Sequence, residues 1–155
     1  MTRAFRKKLL ATTVAAAVFA PSVALAQDEQ TFAEAQYRKD VMQHFNLSIK
    51  KILQNFQGNV QHPEHYAAIA DIMANAATLS KAAFEKDTRS MEGPTKAKGE
   101  IWDNWEDFSG RMDKLVEDTA AFAEAAKSGD MGQIQPGFRR AVSQCKACHD
   151  LYKAD

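Results

Sequence analysis

Cysteine, proline and glycine are scarce in this chain, at 2, 4 and 7 of its 155 residues. Two cysteines cannot build the web of bridges on which small secreted scaffolds rely. Little proline and glycine, together with 45% hydrophobic residues, exclude collagen-like and low-complexity disordered chains. An excess of charge is also missing, since 20 basic residues balance 20 acidic ones. No run of lysine and arginine carries interleaved aromatics, so no nucleic acid is expected as a partner. Strand-like alternation of β-branched residues is absent, which leaves helix as the repeating element. No carboxylate pair, nucleophile–base set or phosphate loop stands out, and the chain is not expected to be an enzyme. Without an internal repeat or long linker, this length suits one domain.

The charge balance is uneven along the chain. Arg3, Arg6, Lys7 and Lys8 precede an apolar stretch from Leu9 to Ala20, and Ala24-Leu25-Ala26 supplies small residues after Pro21 and Ser22. Basic, apolar and small-residue regions in that order describe a secretory signal peptide. The rival reading, a retained membrane anchor, meets a short, alanine-rich run interrupted by Pro21, where a span needs about 20 strongly apolar residues. Cleavage after Ala26 leaves residues 27–155 as the domain, with 16 basic residues against 20 acidic and a net charge of −4. The expected product is exported to the periplasm and not stably inserted in the membrane.

Four amphipathic segments follow. Tyr37, Val41, Met42, Phe45, Ile49, Ile52, Leu53 and Phe56 recur every three or four residues, which predicts a helix over 32–56. Tyr66, Ile69, Met73, Ala76 and Leu79 predict a second from Glu64 to about Phe84. Ile101, Trp102, Trp105, Phe108, Met112, Leu115 and Phe122 predict a third from Glu100 to Lys127. Phe138, Val142, Cys145, Cys148, His149 and Tyr152 mark the fourth, with Asp130 as its cap and an irregular or kinked start at Pro136. Residues 85–99 are polar and read as a long connection. The expected fold is all-α, an antiparallel four-helix bundle.

Chemistry concentrates near the C-terminus. Cys145-Lys146-Ala147-Cys148-His149 is the C-x-x-C-H pattern of c-type haem attachment. On a helix these positions, i, i+3 and i+4, share one face. Both thiols can therefore add to the two vinyl groups of one haem while the imidazole is held beneath the iron. A zinc site would want further ligands that the chain lacks. A thioredoxin-like pair would want a βαβ frame. A plain disulfide in a haem-free interaction protein is the remaining alternative.

With these residues in place, the chain resembles the cytochrome c′ family, in which the attachment pentapeptide lies on the last helix of a four-helix bundle. The resemblance rests on Tyr37-Arg38 with Met42, Ile101-Trp102 and Phe108, Gly129-Asp130, and Cys145 to Asp150 followed by Tyr152-Lys153. It implies one covalent haem c on Cys145 and Cys148, with His149 as proximal ligand of the iron. It also implies that the residue four places after the first-helix arginine, here Met42, faces the distal side. A methionine there implies a low-spin His/Met iron suited to electron transfer with redox partner proteins. Packing is the plainer role for a helical methionine, and Met73, Met112 and His44 are rival ligands. If Met42 does not bind, the resemblance implies a five-coordinate iron open to nitric oxide or carbon monoxide. Arg38 is similar to the family's haem-propionate partner, and Lys153 to its basic residue near the proximal imidazole. Phe45, Trp102, Trp105 and Phe108 are expected to line the pocket. The family further implies a homodimer through the first two helices. His62 and His65, near a helix start, read as solvated residues, with a surface metal site as the rarer alternative.

Overall fold

A computed structural model describes residues 32–155; the signal peptide expected over 1–26 lies outside the described residues. Apolar residues at three- and four-residue spacing form helices whose buried stripes then face one another. Helix α1 spans Ala33–Phe56 and buries Ala35, Arg38, Val41, Phe45, Ser48 and Ile52. It stops at Gly58, whose φ of +71° is a left-handed conformation that glycine adopts without a Cβ clash. A single 3-10 turn, Pro63–His65, leads into α2, Tyr66–Glu85.

The third predicted helix is two. A short α3, Glu100–Asp103, is followed by α4, Trp105–Lys127. Between them Asn104 leaves helical geometry at φ −121° and ψ 45°. Its side-chain Nδ2 and its backbone N–H both donate to the Glu100 carbonyl, at 3.2 and 3.0 Å. Asparagine competes in this way with the backbone for local hydrogen bonds, which apolar spacing alone does not reveal. Helix α5, Met131–Tyr152, is continuous through Pro136 where an irregular start was expected. Asp130 caps it, with Oδ1 accepting from the Gly132 N–H at 2.8 Å. Pro136 is the sixth residue of α5, so its missing N–H leaves the Gly132 carbonyl without its i+4 donor, a single lost hydrogen bond through which the helix continues.

Aromatic contacts establish the antiparallel order. At one end, Phe56 of α1 meets Tyr66 of α2 and Phe138 of α5, each with centroids 5.5 Å apart, and Phe122 of α4 lies 5.6 Å from Phe138. At the other end, Phe108 of α4 meets Phe84 of α2 at 5.1 Å and Tyr152 of α5 at 5.2 Å. Each long helix therefore runs opposite to the one before it. Close packing joins α1 to α2, α2 to α4 and α4 to α5, whereas α1 and α5 share no such extended interface. No helix among the described residues is long and apolar enough to cross a membrane.

Two apolar clusters result. The larger contains Ile52, Ile69, Met73, Phe122, Ile134 and Phe138; the smaller consists of Phe84, Ile101, Phe108, Met112 and Tyr152. Phe122 is wholly buried, and Gly137 lets α5 approach it so closely that an added Cβ would lie 3.4 Å from the Phe122 ring. Phe122→Ala should lower stability by about 3–5 kcal/mol by leaving a cavity. A urea midpoint that drops at unchanged slope is the expected readout; an unmoved midpoint would contradict this packing.

Candidate functional site

The last two turns of α5 carry Cys145, Cys148 and His149. Both thiols are free and partly buried. Burial pushes the Cys145 thiol up, and does the same to Cys148 against the opposing pull of Arg111. Cys148 packs against the smaller apolar cluster. His149 is largely exposed, yet the burial its ring does have, followed by the charge of Lys153, holds its imidazole below the ordinary histidine range. Lys153 lines the same surface depression as His149, together with Lys98 and Asp150.

Several interactions hold this end of α5 in place. The Lys98 N–H donates to the Tyr152 carbonyl at 3.0 Å, and the Ala154 N–H donates to the Lys96 carbonyl at 2.9 Å. Residues 96–98, expected to be plain connection, thus pair with the C-terminal tail through an isolated bridge between Ala97 and Lys153. Tyr152 Oη donates to Asp107 Oδ2 at 2.6 Å, and Arg111 Nε donates to the same oxygen at 2.6 Å. One turn before Cys148, Gln144 Nε2 donates to the buried Asp118 at 3.0 Å, tying α5 to α4.

Helix α1 supplies the facing residues. Arg38 is 3% exposed although it carries a charge. Its Nη2 donates to Thr88 Oγ1 at 3.1 Å, and its guanidinium lies 5.1 Å from the Phe84 ring centre and 5.7 Å from that of Trp102. Burial pushes the Arg38 guanidinium down, and the charge of Glu34 opposes that shift. Trp102 is itself anchored, its Nε1–H donating to the Phe84 carbonyl at 2.9 Å. Met42, one turn beyond Arg38, is half-buried and packs against both apolar clusters.

Most of the expected residues converge on one place. Arg38, Met42, Trp102, Trp105, Phe108 and Cys148 all meet around the Phe84–Phe108–Tyr152 cluster. Phe45 does not, because it is buried in the larger cluster with Met73. Of the rival ligands, Met112 belongs to the smaller cluster, Met73 to the larger, and His44 is exposed. Thr88 and Phe84 were not foreseen. Thr88 sits in a polar connection without periodicity, and nothing in its sequence neighbourhood marks it as a partner for Arg38.

Arg38 tests whether a covalent haem suits these residues. Its Nη1 is buried with no hydrogen-bond partner. Leaving a charged donor buried and unpaired is costly, so the site calls for an acceptor, and a haem carries two carboxylates. Two free thiols and an imidazole on one helical face complete a matching donor set.

Such a donor set, on the last helix of a four-helix bundle, is that of a c-type cytochrome. The chain belongs to the cytochrome c′ family, whose sequence model, described as Cytochrome C′, matches residues 33–153. It is 30% identical to the cytochrome c′ of Rhodospirillum rubrum over 96% of this chain and 99% of that one. The structure is similar to cytochrome c prime from Shewanella frigidimarina, with TM-score 0.72 and 28% identity over 79% of this chain and 94% of the other. It is also similar to cytochrome c′ from Thermochromatium tepidum, with TM-score 0.70 and 26% identity over 79% and 95%. The cofactor of the family is one covalently attached c-type haem.

The Asp107 carboxyl is held below the ordinary aspartate range, first by its hydrogen bond from Arg111 and then by that from Tyr152. A depressed folded value contributes stability above the unfolded value and loses it as pH falls through the folded one. The wild type should therefore be more stable than Asp107→Asn near neutrality, and the gap should close between about pH 5 and pH 2. Urea midpoints across that range are the check, and a gap independent of pH would contradict the ion pair's role.

Proposed function

We propose that Cys145 and Cys148 hold the haem through two thioethers, that His149 is its proximal ligand, and that the iron is five-coordinate and takes nitric oxide or carbon monoxide. When bound, the haem supplies an iron that changes oxidation state and accepts a small neutral ligand. The observation that carries this reading is membership of the cytochrome c′ family over residues 33–153, and the packing of Met42 is compatible with it. Half-buried and packed against both clusters, Met42 already contributes to the core, as helical methionines usually do. The relatives described as cytochrome c′ support the same choice.

Each remaining side chain then has a task. Arg38 offers its unpartnered Nη1 to a propionate, a charge-assisted hydrogen bond that seats the haem edge. Trp102 and Phe108 keep water from the apolar side of the site. Burial of the ring, and after it the charge of Lys153, disfavours protonation of His149, so a nitrogen lone pair stays available as an iron ligand. Nothing in this assignment turns over a substrate.

A second reading is favoured by the register of α1. Met42 follows Arg38 by one turn and lies against the same cluster as Cys148, which suits a low-spin His149/Met42 iron that passes electrons to redox partner proteins. In either case residues 1–26 serve as a cleaved export signal and residues 27–155 act in the periplasm. A homodimer through α1 and α2 is supported by a mainly apolar groove between them, lined by Ala33, Tyr37, Leu79, Ala82 and Ala83 together with the ion-paired Glu34 and Lys86. Tyr37 and Leu79 are 51% and 46% exposed there.

The visible spectrum separates the two readings. A five-coordinate iron gives a high-spin ferric spectrum without a sulfur-to-iron charge-transfer band. The ferrous protein then takes up carbon monoxide without losing a ligand, and Met42→Ala changes the spectrum little. A low-spin spectrum that collapses in Met42→Ala would overturn the five-coordinate assignment in favour of the electron carrier. Attachment is tested separately. The double variant Cys145→Ser, Cys148→Ser should lose all haem staining on a denaturing gel, and stain retained at the chain's position would refute the thioethers.

A further inference from the structure

The chain has four histidines, and two of them lie far from the haem site, in the turn between α1 and α2. There His62, Glu64 and His65 place one donor atom each within 4.8 Å of one another. His62 Nδ1 is 3.2 Å from Glu64 Oε1, and His65 Nε2 is 3.4 Å from the same oxygen. Among the described residues this is the one group of three or more such donors so arranged. It sits at the Phe56–Tyr66 end of the bundle, opposite the end that holds Arg38 and Cys148.

Local backbone geometry accounts for the convergence. A 3-10 turn has three residues per turn, so side chains at i and i+3 stand one above the other. His62 and His65 are spaced in that way across the turn Pro63–His65, and their rings stack at 4.8 Å with an interplanar angle of 15°. Pro63 restricts the first position of the turn. The His65 N–H donates to the His62 carbonyl at 3.0 Å, and Asn55 Oδ1 accepts from the His62 N–H at 2.7 Å. The backbone bearing the donors is therefore tied both within the turn and to the end of α1.

We propose that His62, Glu64 and His65 form a surface site for a divalent transition-metal ion, with water in the fourth position. Two imidazoles and a carboxylate are the borderline donor set that suits zinc and copper. Bonds of about 2.0–2.1 Å at tetrahedral angles put neighbouring donor atoms about 3.3–3.4 Å apart. The two pairs that share Glu64 Oε1 match that edge, at 3.2 and 3.4 Å. The third pair lies within 4.8 Å; because the stacked rings hold their in-plane lone pairs side by side, one imidazole must turn out of the stack to join the ion, and both side chains are more than half exposed, at 54% and 57%. The exposed Glu64 carboxylate supplies the oxygen ligand. The metal then replaces the histidine contacts to Glu64, and each ring keeps its proton on the other nitrogen.

Titration calorimetry with zinc chloride on the ferric holoprotein, purified without a histidine tag, tests the site. One zinc per chain is expected, with affinity at least tenfold weaker in the double variant His62→Ala, His65→Ala and unchanged in His44→Ala. The haem spectrum should not move during the titration, because the ion binds at the far end of the bundle. Equal affinity in the wild type and the double variant would overturn the proposal, as would the absence of saturable binding or a loss of affinity in His44→Ala alone. All three side chains are exposed, so thermal midpoints within a degree or two of the wild type are expected, and they guard against reading misfolding as lost ligation.

Discussion

Phe108 is the contact on which the functional end of the bundle depends. It is 1% exposed, and its ring meets Phe84 from α2, Trp105 from its own helix and Tyr152 from α5. Through Tyr152 it fixes the last turn of α5, where Cys148 and His149 are carried. Through Phe84 it reaches Arg38 on α1. A buried aromatic of this size contributes on the order of 2–3 kcal/mol through area alone, and edge-on ring pairs add to that. Its larger effect is geometric, since it gives helices remote in sequence a common reference point.

Arg38 gives that arrangement its chemical direction. Burying a guanidinium against three rings with a single neutral hydrogen-bond partner is unfavourable as a means of stabilising a fold. It makes physical sense where an anion completes the set. The Asp107–Arg111–Tyr152 network contrasts with it, because every charge there is paired and partly solvated. One constellation is closed and structural, whereas the other has a donor to spare. The opposite end of the bundle carries a separate exposed cluster in the turn at Pro63, where two stacked imidazoles each bring one nitrogen to Glu64 Oε1.

Much of the fold was legible because helical amphipathicity is a local property. Val41, Phe45 and Ile52 in α1, and Phe138 to Tyr152 in α5, show their buried faces as helical spacings, and those helices are where the pattern puts them, although Tyr37 and Leu53 of the same pattern are exposed. Asn104 broke the third helix through a side-chain hydrogen bond to Glu100, an event that hydrophobic spacing does not register. Pro136 had the reverse effect. It reads as a breaker, yet it costs α5 only the hydrogen bond to the Gly132 carbonyl, and the helix runs on from its capped start.

Within the candidate site, the spacing of Cys145, Cys148 and His149 determined by itself that two thiols and an imidazole share a helical face. The sequence likewise determined the helical class, because the periodicity of each segment is written within it. Only the tertiary structure decided which residues meet across the bundle. It separated Phe45 from Phe108, although both are aromatic and both lie on buried stripes. It found Thr88 for Arg38, 50 residues away, and joined residues 96–98 to the C-terminal tail. The physical reason is that a helix face is set by neighbours three and four residues away. A partner for a buried charge is set by how whole helices pack, which no local pattern encodes.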